Sequence, residues 1–79
     1  MRVKEIIPYI DEKYRKKVIV KLENGKRFIG FITNTESEFD TSSGKMEIEL
    51  WTGKVWYGLP IDEIVEVMEI NQINQQKTR

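Results

Sequence analysis

The chain has neither cysteine nor histidine among its 79 residues. Without cysteine there is no disulfide and no thiolate metal site. Without histidine, the commonest general base, the commonest metal ligand and the imidazole-based nucleophilic triads are all excluded. Long apolar runs are missing too, and none approaches the roughly 20 residues that span a bilayer as a helix. The opening residues MRVKEIIPYIDEKY break their apolar side chains with charges, unlike a secretory signal. These absences lead to the expectation of a cytoplasmic, non-enzymatic protein. No cofactor, metal, membrane contact or small-molecule substrate is expected.

What is present is charge, a third of all residues, with a net of zero. It is unevenly spread. Residues 1–30 carry nine Lys/Arg against four Asp/Glu, a balance of +5. Residues 31–70 carry two Lys against nine Asp/Glu, a balance of −7. Such asymmetry can orient a partner, although acidic solvent-facing strand positions account for it as simply.

The apolar pattern changes period along the chain. Val3, Ile6, Ile7, Ile10 and Tyr14 recur at helical spacing, and Pro8 suits a first helical turn. The spacing predicts a short helix over about 8–16. Val18, Val20 and Leu22 then alternate with polar residues, as in a half-buried strand. KRFIGFITNT reads as a second strand, EFDTSSGK as a loop and KMEIELW as a third strand. Thr52-Gly53 reads as a tight turn pairing Trp51 with Lys54, so that Glu49 faces Trp56. KVWYG is a fourth strand that Pro60 interrupts, and IVEVMEI is a fifth. Residues 1–70 form one domain, and the polar residues 71–79 are expected to be a disordered tail. Five short strands and one helix cannot cover both faces of an open sheet, so the expected fold is mainly β, a small five-stranded barrel with a short N-terminal α-helix.

The first hairpin has two possible registers. A two-residue Asn24-Gly25 turn pairs Leu22 with Arg27. A bulged loop with Gly25 left-handed pairs Val20 with Phe28 and Val18 with Gly30. The choices expose opposite faces of the second strand. Gly30, a glycine inside a strand, marks a bend of the kind a five-stranded barrel needs, and favours the bulged loop.

VIVKLENGKRFIGFI resembles the first motif of Sm-like proteins, through Val18, Val20, Leu22, Asn24-Gly25, Phe28, Gly30 and Ile32. YGLPIDEI resembles the second motif, through Gly58, Ile61 and Ile64. The resemblance covers residues 8–70 and implies an Sm-like or SH3-like barrel. It also implies rings in which the fourth strand of one copy pairs with the fifth of the next. The family reads RNA bases with an Asn and an Arg. Here Tyr57 stands at the Arg position, and Asp40 or Glu47 at the Asn position. A carboxylate repels phosphate at close range.

Glu36, Glu38 and Asp40 alternate as though to hold a hard cation, but lack the glycine-containing loop of a calcium site. They read as an acidic edge. Lys13, Arg15, Lys16, Lys17, Lys26 and Arg27 offer phosphate contacts, and Tyr57 offers a stacking ring. Trp51 and Trp56, with Val65, Val67 and Met68 of the fifth strand, offer apolar contact to a protein. The leading expectation is a non-catalytic binding module for a protein partner or for itself. The alternative is an Sm-like protein that binds RNA or single-stranded DNA through its basic N-terminal surface.

Overall fold

A computed structural model of the chain describes residues 1–70, so the tail expected at 71–79 lies outside the described residues. A one-turn helix α1 (Val3–Ile6) runs into a 3-10 turn (Ile7–Tyr9). Five strands follow: β1 (Val18–Leu22), β2 (Arg27–Glu36), β3 (Glu47–Trp51), β4 (Trp56–Pro60) and β5 (Ile64–Glu69). A 3-10 turn, Ile61–Glu63, separates β4 from β5. The strands form one open antiparallel sheet in the order β4-β3-β2-β1-β5. The two edges, β4 and β5, are not joined by a ladder, so the expected barrel is not closed.

The helix lies earlier than the spacing predicts. Residues 10–17 are held instead by the Asp11 carboxylate, which accepts backbone N–H groups from Lys13 at 3.0 Å and from Arg15 and Lys16. A short acidic side chain that satisfies the backbone locally competes with helix formation. Tyr14 sits in the left-handed region at φ 58°, which ends any helical path. Asp11 N–H also donates to the Ile32 carbonyl at 2.7 Å, pinning this segment to β2.

The β1–β2 hairpin takes the bulged register. Val20 pairs with Phe28 and Val18 with Gly30. Gly25 has φ 91°, and Leu22 N–H donates to the Lys26 carbonyl at 2.9 Å. Strand β2 pairs with β1 as far as Gly30 and with β3 from Phe31 onward. At that handover a Cβ on Gly30 would collide with the Trp51 carbonyl group and stand 3.1 Å from the Thr52 Cα. The missing side chain is what lets β2 bend across β3.

The bend curls the sheet. In a flat sheet the Cα atoms of Phe28 and Tyr57 would stand about 16 Å apart, from four residues along β2 and two strand spacings. Their ring centroids are 4.8 Å apart. The concave face holds the core: Val18, Val20, Leu22, Ile32, Ile48, Leu50, Leu59, Ile64 and Val67, with Ile6 and Ile61 closing its open side. Val67 is therefore core and unavailable to a partner. A bulge against Lys21 and Leu22 shifts the alternation of β5, so Ile64 and Val67 point inward and Val65 is left exposed.

The β3–β4 loop also differs from expectation. Trp51 pairs with Trp56, so the loop spans residues 52–55 rather than Thr52-Gly53 alone. The Thr52 hydroxyl accepts N–H groups from Lys54 at 3.2 Å and Val55 at 3.1 Å, and Gly53 takes φ 102°. A side-chain oxygen that caps two more donors widens the turn.

Gly30→Ala is expected to destabilise the fold by about 3 kcal/mol or more, since backbone atoms cannot yield to the added methyl. Gly25→Ala, which meets open space, should cost only about 1–2 kcal/mol from its positive φ. Ile48→Ala should cost about 2–5 kcal/mol as a core truncation. Urea melts rank the three, and a Gly30→Ala midpoint no lower than that of Gly25→Ala would contradict the bend assignment.

Candidate functional site

Strand alternation that sends the core residues inward sends their neighbours outward. On β1 these are Ile19 and Lys21, and on β2 they are Arg27, Ile29 and Phe31. On β3 they are Glu47, Glu49 and Trp51, and on β4 they are Trp56 and Gly58. On β5, Met68 pairs with Ile19 and Glu66 with Lys21. The convex face therefore carries an aliphatic row, Met68–Ile19–Ile29, followed by an aromatic row, Phe31–Trp51–Trp56.

The aromatic row is built by direct contacts. Trp51 and Trp56 pack with centroids 4.9 Å apart at 39°. Phe31 is the cross-strand partner of Trp51. Tyr14, turned by its left-handed backbone, meets Phe31 edge to face at 5.7 Å and 82°. Ile29 is 49% exposed, Met68 49%, Tyr14 47% and Trp56 53%. An apolar stripe crossing a whole sheet face is a mark of an interaction surface. Beside it, Ile19, Lys21, Arg27, Glu66 and Met68 line a shallow groove of about 190 Å³.

The basic residues do not gather into one patch. Lys13 and Arg15 are exposed on either side of Tyr14. Lys16 is tied back, its Nζ donating to the Pro8 carbonyl at 2.8 Å. Lys17 is half-buried, and its carbonyl accepts the Ile70 N–H at 2.8 Å. Lys26 and Arg27 follow the hairpin tip, at the far end of β1 from Lys17, roughly 17 Å away by strand rise. Tyr57 packs on Phe28 at the rim of the concave side. Glu47 faces the convex side, with its carboxylate over Gly58. Tyr57 and Glu47 are thus on opposite sides of the sheet. Asp40 lies in the β2–β3 loop, where it accepts the Ser37 hydroxyl at 3.1 Å. Val65 and Met68 are exposed at the β5 edge.

Alternation from the chosen register already turned Ile29 and Phe31 outward. Tyr14 was hidden by the helix expected around it. A second cavity, about 530 Å³, lies between Met1–Val3, the β2–β3 loop and Ile61–Asp62. There Lys45 pairs with Asp62 at 3.8 Å and Glu63 at 3.4 Å, both across open surface.

Two carboxylates on this scaffold titrate abnormally. A side-chain hydrogen bond with Glu36, followed by burial and by the Glu36 charge, raises the pKa of Glu49. Burial pushes the Asp11 carboxyl up, but the N–H groups of Lys13, Lys16 and Arg15 and the Arg15 charge outweigh it and hold it below its ordinary value. The signs oppose. Glu49 contributes stability that is fully present below its unfolded value and is lost as pH rises through its raised folded one. Asp11 contributes stability present above its unfolded value and lost as pH falls through its depressed folded one. Glu49→Gln should therefore flatten the decline in urea midpoint as pH rises above the ordinary glutamate range, and Asp11→Asn should flatten the decline as pH falls below the ordinary aspartate range. Parallel midpoint curves for wild type and Glu49→Gln would contradict the raised Glu49 pKa.

Compared with protein-family models, curated proteins and solved structures, the chain matches none.

Proposed function

We propose that the chain is a non-catalytic binding module on a small Sm-like or SH3-like barrel, holding a protein partner or another copy of itself. The N-terminal helix, the strand count and the second strand bent at Gly30 support that finer fold. The observation that carries the function is the row Phe31–Trp51–Trp56, in which Trp56 is about half exposed, with the exposed Ile29 and Met68 beside it. Aromatic side chains, tryptophan above all, are the usual anchors of protein interfaces. Self-association is supported separately. Among the described residues, strands β4 and β5 are both open edges, and their ladder groups together with exposed Val65 and Met68 favour a neighbouring strand.

A second reading, binding of single-stranded nucleic acid, draws support from Tyr14, an exposed ring between Lys13 and Arg15. It is weakened by the separation of the basic residues and by Glu36, Glu47 and Glu49 on the convex face.

Light scattering behind size exclusion tests self-association. The wild type is expected to run as a small homo-oligomer at tens of micromolar and to dissociate on dilution. Val65→Lys, which places a charge on the β5 edge, should shift it to monomer. A wild-type monomer mass unchanged by dilution would remove self-association and leave another protein as the partner.

A further inference from the structure

This inference rests on the binding-module reading and names the partner's chemistry. We propose that the convex face docks an extended segment of another protein that is both apolar and acidic.

The apolar half of the argument is the stripe itself. It crosses strands rather than running along one, from Met68 through Ile19 and Ile29 to Phe31, Trp51 and Trp56. It is also shallow, flanked by a groove of only about 190 Å³. An extended chain can lay alternate side chains on such a stripe, whereas a bulky globular knob finds no deep socket.

The acidic half is charge placement. Lys13 and Arg15 flank Tyr14 at one end of the aromatic row. Lys54, in the loop joining Trp51 to Trp56, stands exposed at the other end. Lys21 and Arg27, with Glu66 as the ladder partner of Lys21, line the groove beside the aliphatic row, a balance of one positive charge. An occupant whose carboxylates bracket its apolar residues meets a cation at each end.

The same placement argues against two other occupants. A second copy laid on this face about a two-fold axis through the row would bring its own Lys13 and Arg15 over Lys54, like charge on like charge. Self-association therefore belongs to the edge strands and not to this face. A polynucleotide finds ring faces on only part of the stripe, since Ile19, Ile29 and Met68 present no π surface. Its phosphates recur at every nucleotide, so they cannot avoid Glu49, two residues from Trp51 on the same face, or Glu66 in the groove. A peptide can carry its charges only where cations await them.

Fluorescence anisotropy of the full chain with three labelled probes decides the matter. The probes are a synthetic peptide with aspartates flanking leucines and one tryptophan, the same peptide with lysines for aspartates, and an oligouridylate of similar length. The acidic peptide is expected to bind at least about tenfold tighter than the lysine peptide, with affinity falling as salt rises. Trp56→Ala should weaken it about tenfold or more, as removal of an interface tryptophan does. Arg15→Glu with Lys54→Glu should weaken the acidic peptide and strengthen the lysine one. All three side chains are exposed, so urea midpoints near the wild-type value show that the variants fold. Equal binding of both peptides, still lost in Trp56→Ala, overturns the acidic partner while the binding module stands. Tighter binding of oligouridylate overturns it in favour of nucleic acid. No binding of any probe, with Trp56→Ala indistinguishable from wild type, overturns both the partner and the use of this face.

Discussion

The close approach of β2 to the Trp51 carbonyl group at Gly30 is the constraint on which the rest of the structure depends. A strand of ten residues cannot serve two neighbours on a flat sheet this small and still enclose a core. By bending where the side chain is absent, β2 gives its first half to β1 and its second half to β3. The curl brings Phe28 onto Tyr57 and turns Val18, Val20, Ile32, Ile48 and Leu50 toward one another. Helix α1 and the turn after β4 then need to supply only Ile6 and Ile61 to close the open side. Small domains bury a smaller fraction of their surface than large ones, so a sheet wrapped round its own core makes the most of few residues.

The convex face follows from the same alternation. Every inward residue of β2 has an outward neighbour, and β2 is apolar on both sides: Phe28 and Ile32 face one way, Ile29 and Phe31 the other. Among the described residues there is no second layer over the outer set. Tyr14 covers part of Phe31, and Trp51 and Trp56 cover part of each other, but Ile29, Trp56 and Met68 remain about half exposed. Among the described residues, these open edges and the half-exposed apolar face are the surface that the proposed binding function would use.

Asp11 links the N-terminal segment to this surface. Its carboxylate gathers the N–H groups of Lys13, Arg15 and Lys16, and its own N–H is held by Ile32. The loop so formed throws Tyr14 into the left-handed region and onto Phe31. One acidic residue thereby places both the ring and the two cations beside it. On the same face, the Glu36 side chain and its charge, together with burial, raise the pKa of Glu49.

Much of the fold was legible in the residues alone. Period-two alternation located β1 and β3, the apolar run after Pro60 located β5, and Asn24-Gly25 with Gly30 chose the register of the first hairpin, because a left-handed turn residue and a strand glycine admit few conformations. That register carries the assignment of Ile29 and Phe31 to the convex face. What tertiary structure alone decided were competitions between local options of similar energy. The apolar spacing around Pro8 permits a helix over 8–16, yet the Asp11 carboxylate and the bridge to Ile32 stabilise a loop instead. Thr52-Gly53 permits a tight turn, yet the Thr52 hydroxyl caps two further donors and pairs the tryptophans. The bulge in β5 buries Val67 and exposes Val65, a one-residue slip invisible in a strand apolar on both faces. The convex row shares that origin: strand pairing sets Phe31, Trp51 and Trp56 side by side, and the Asp11 loop adds Tyr14.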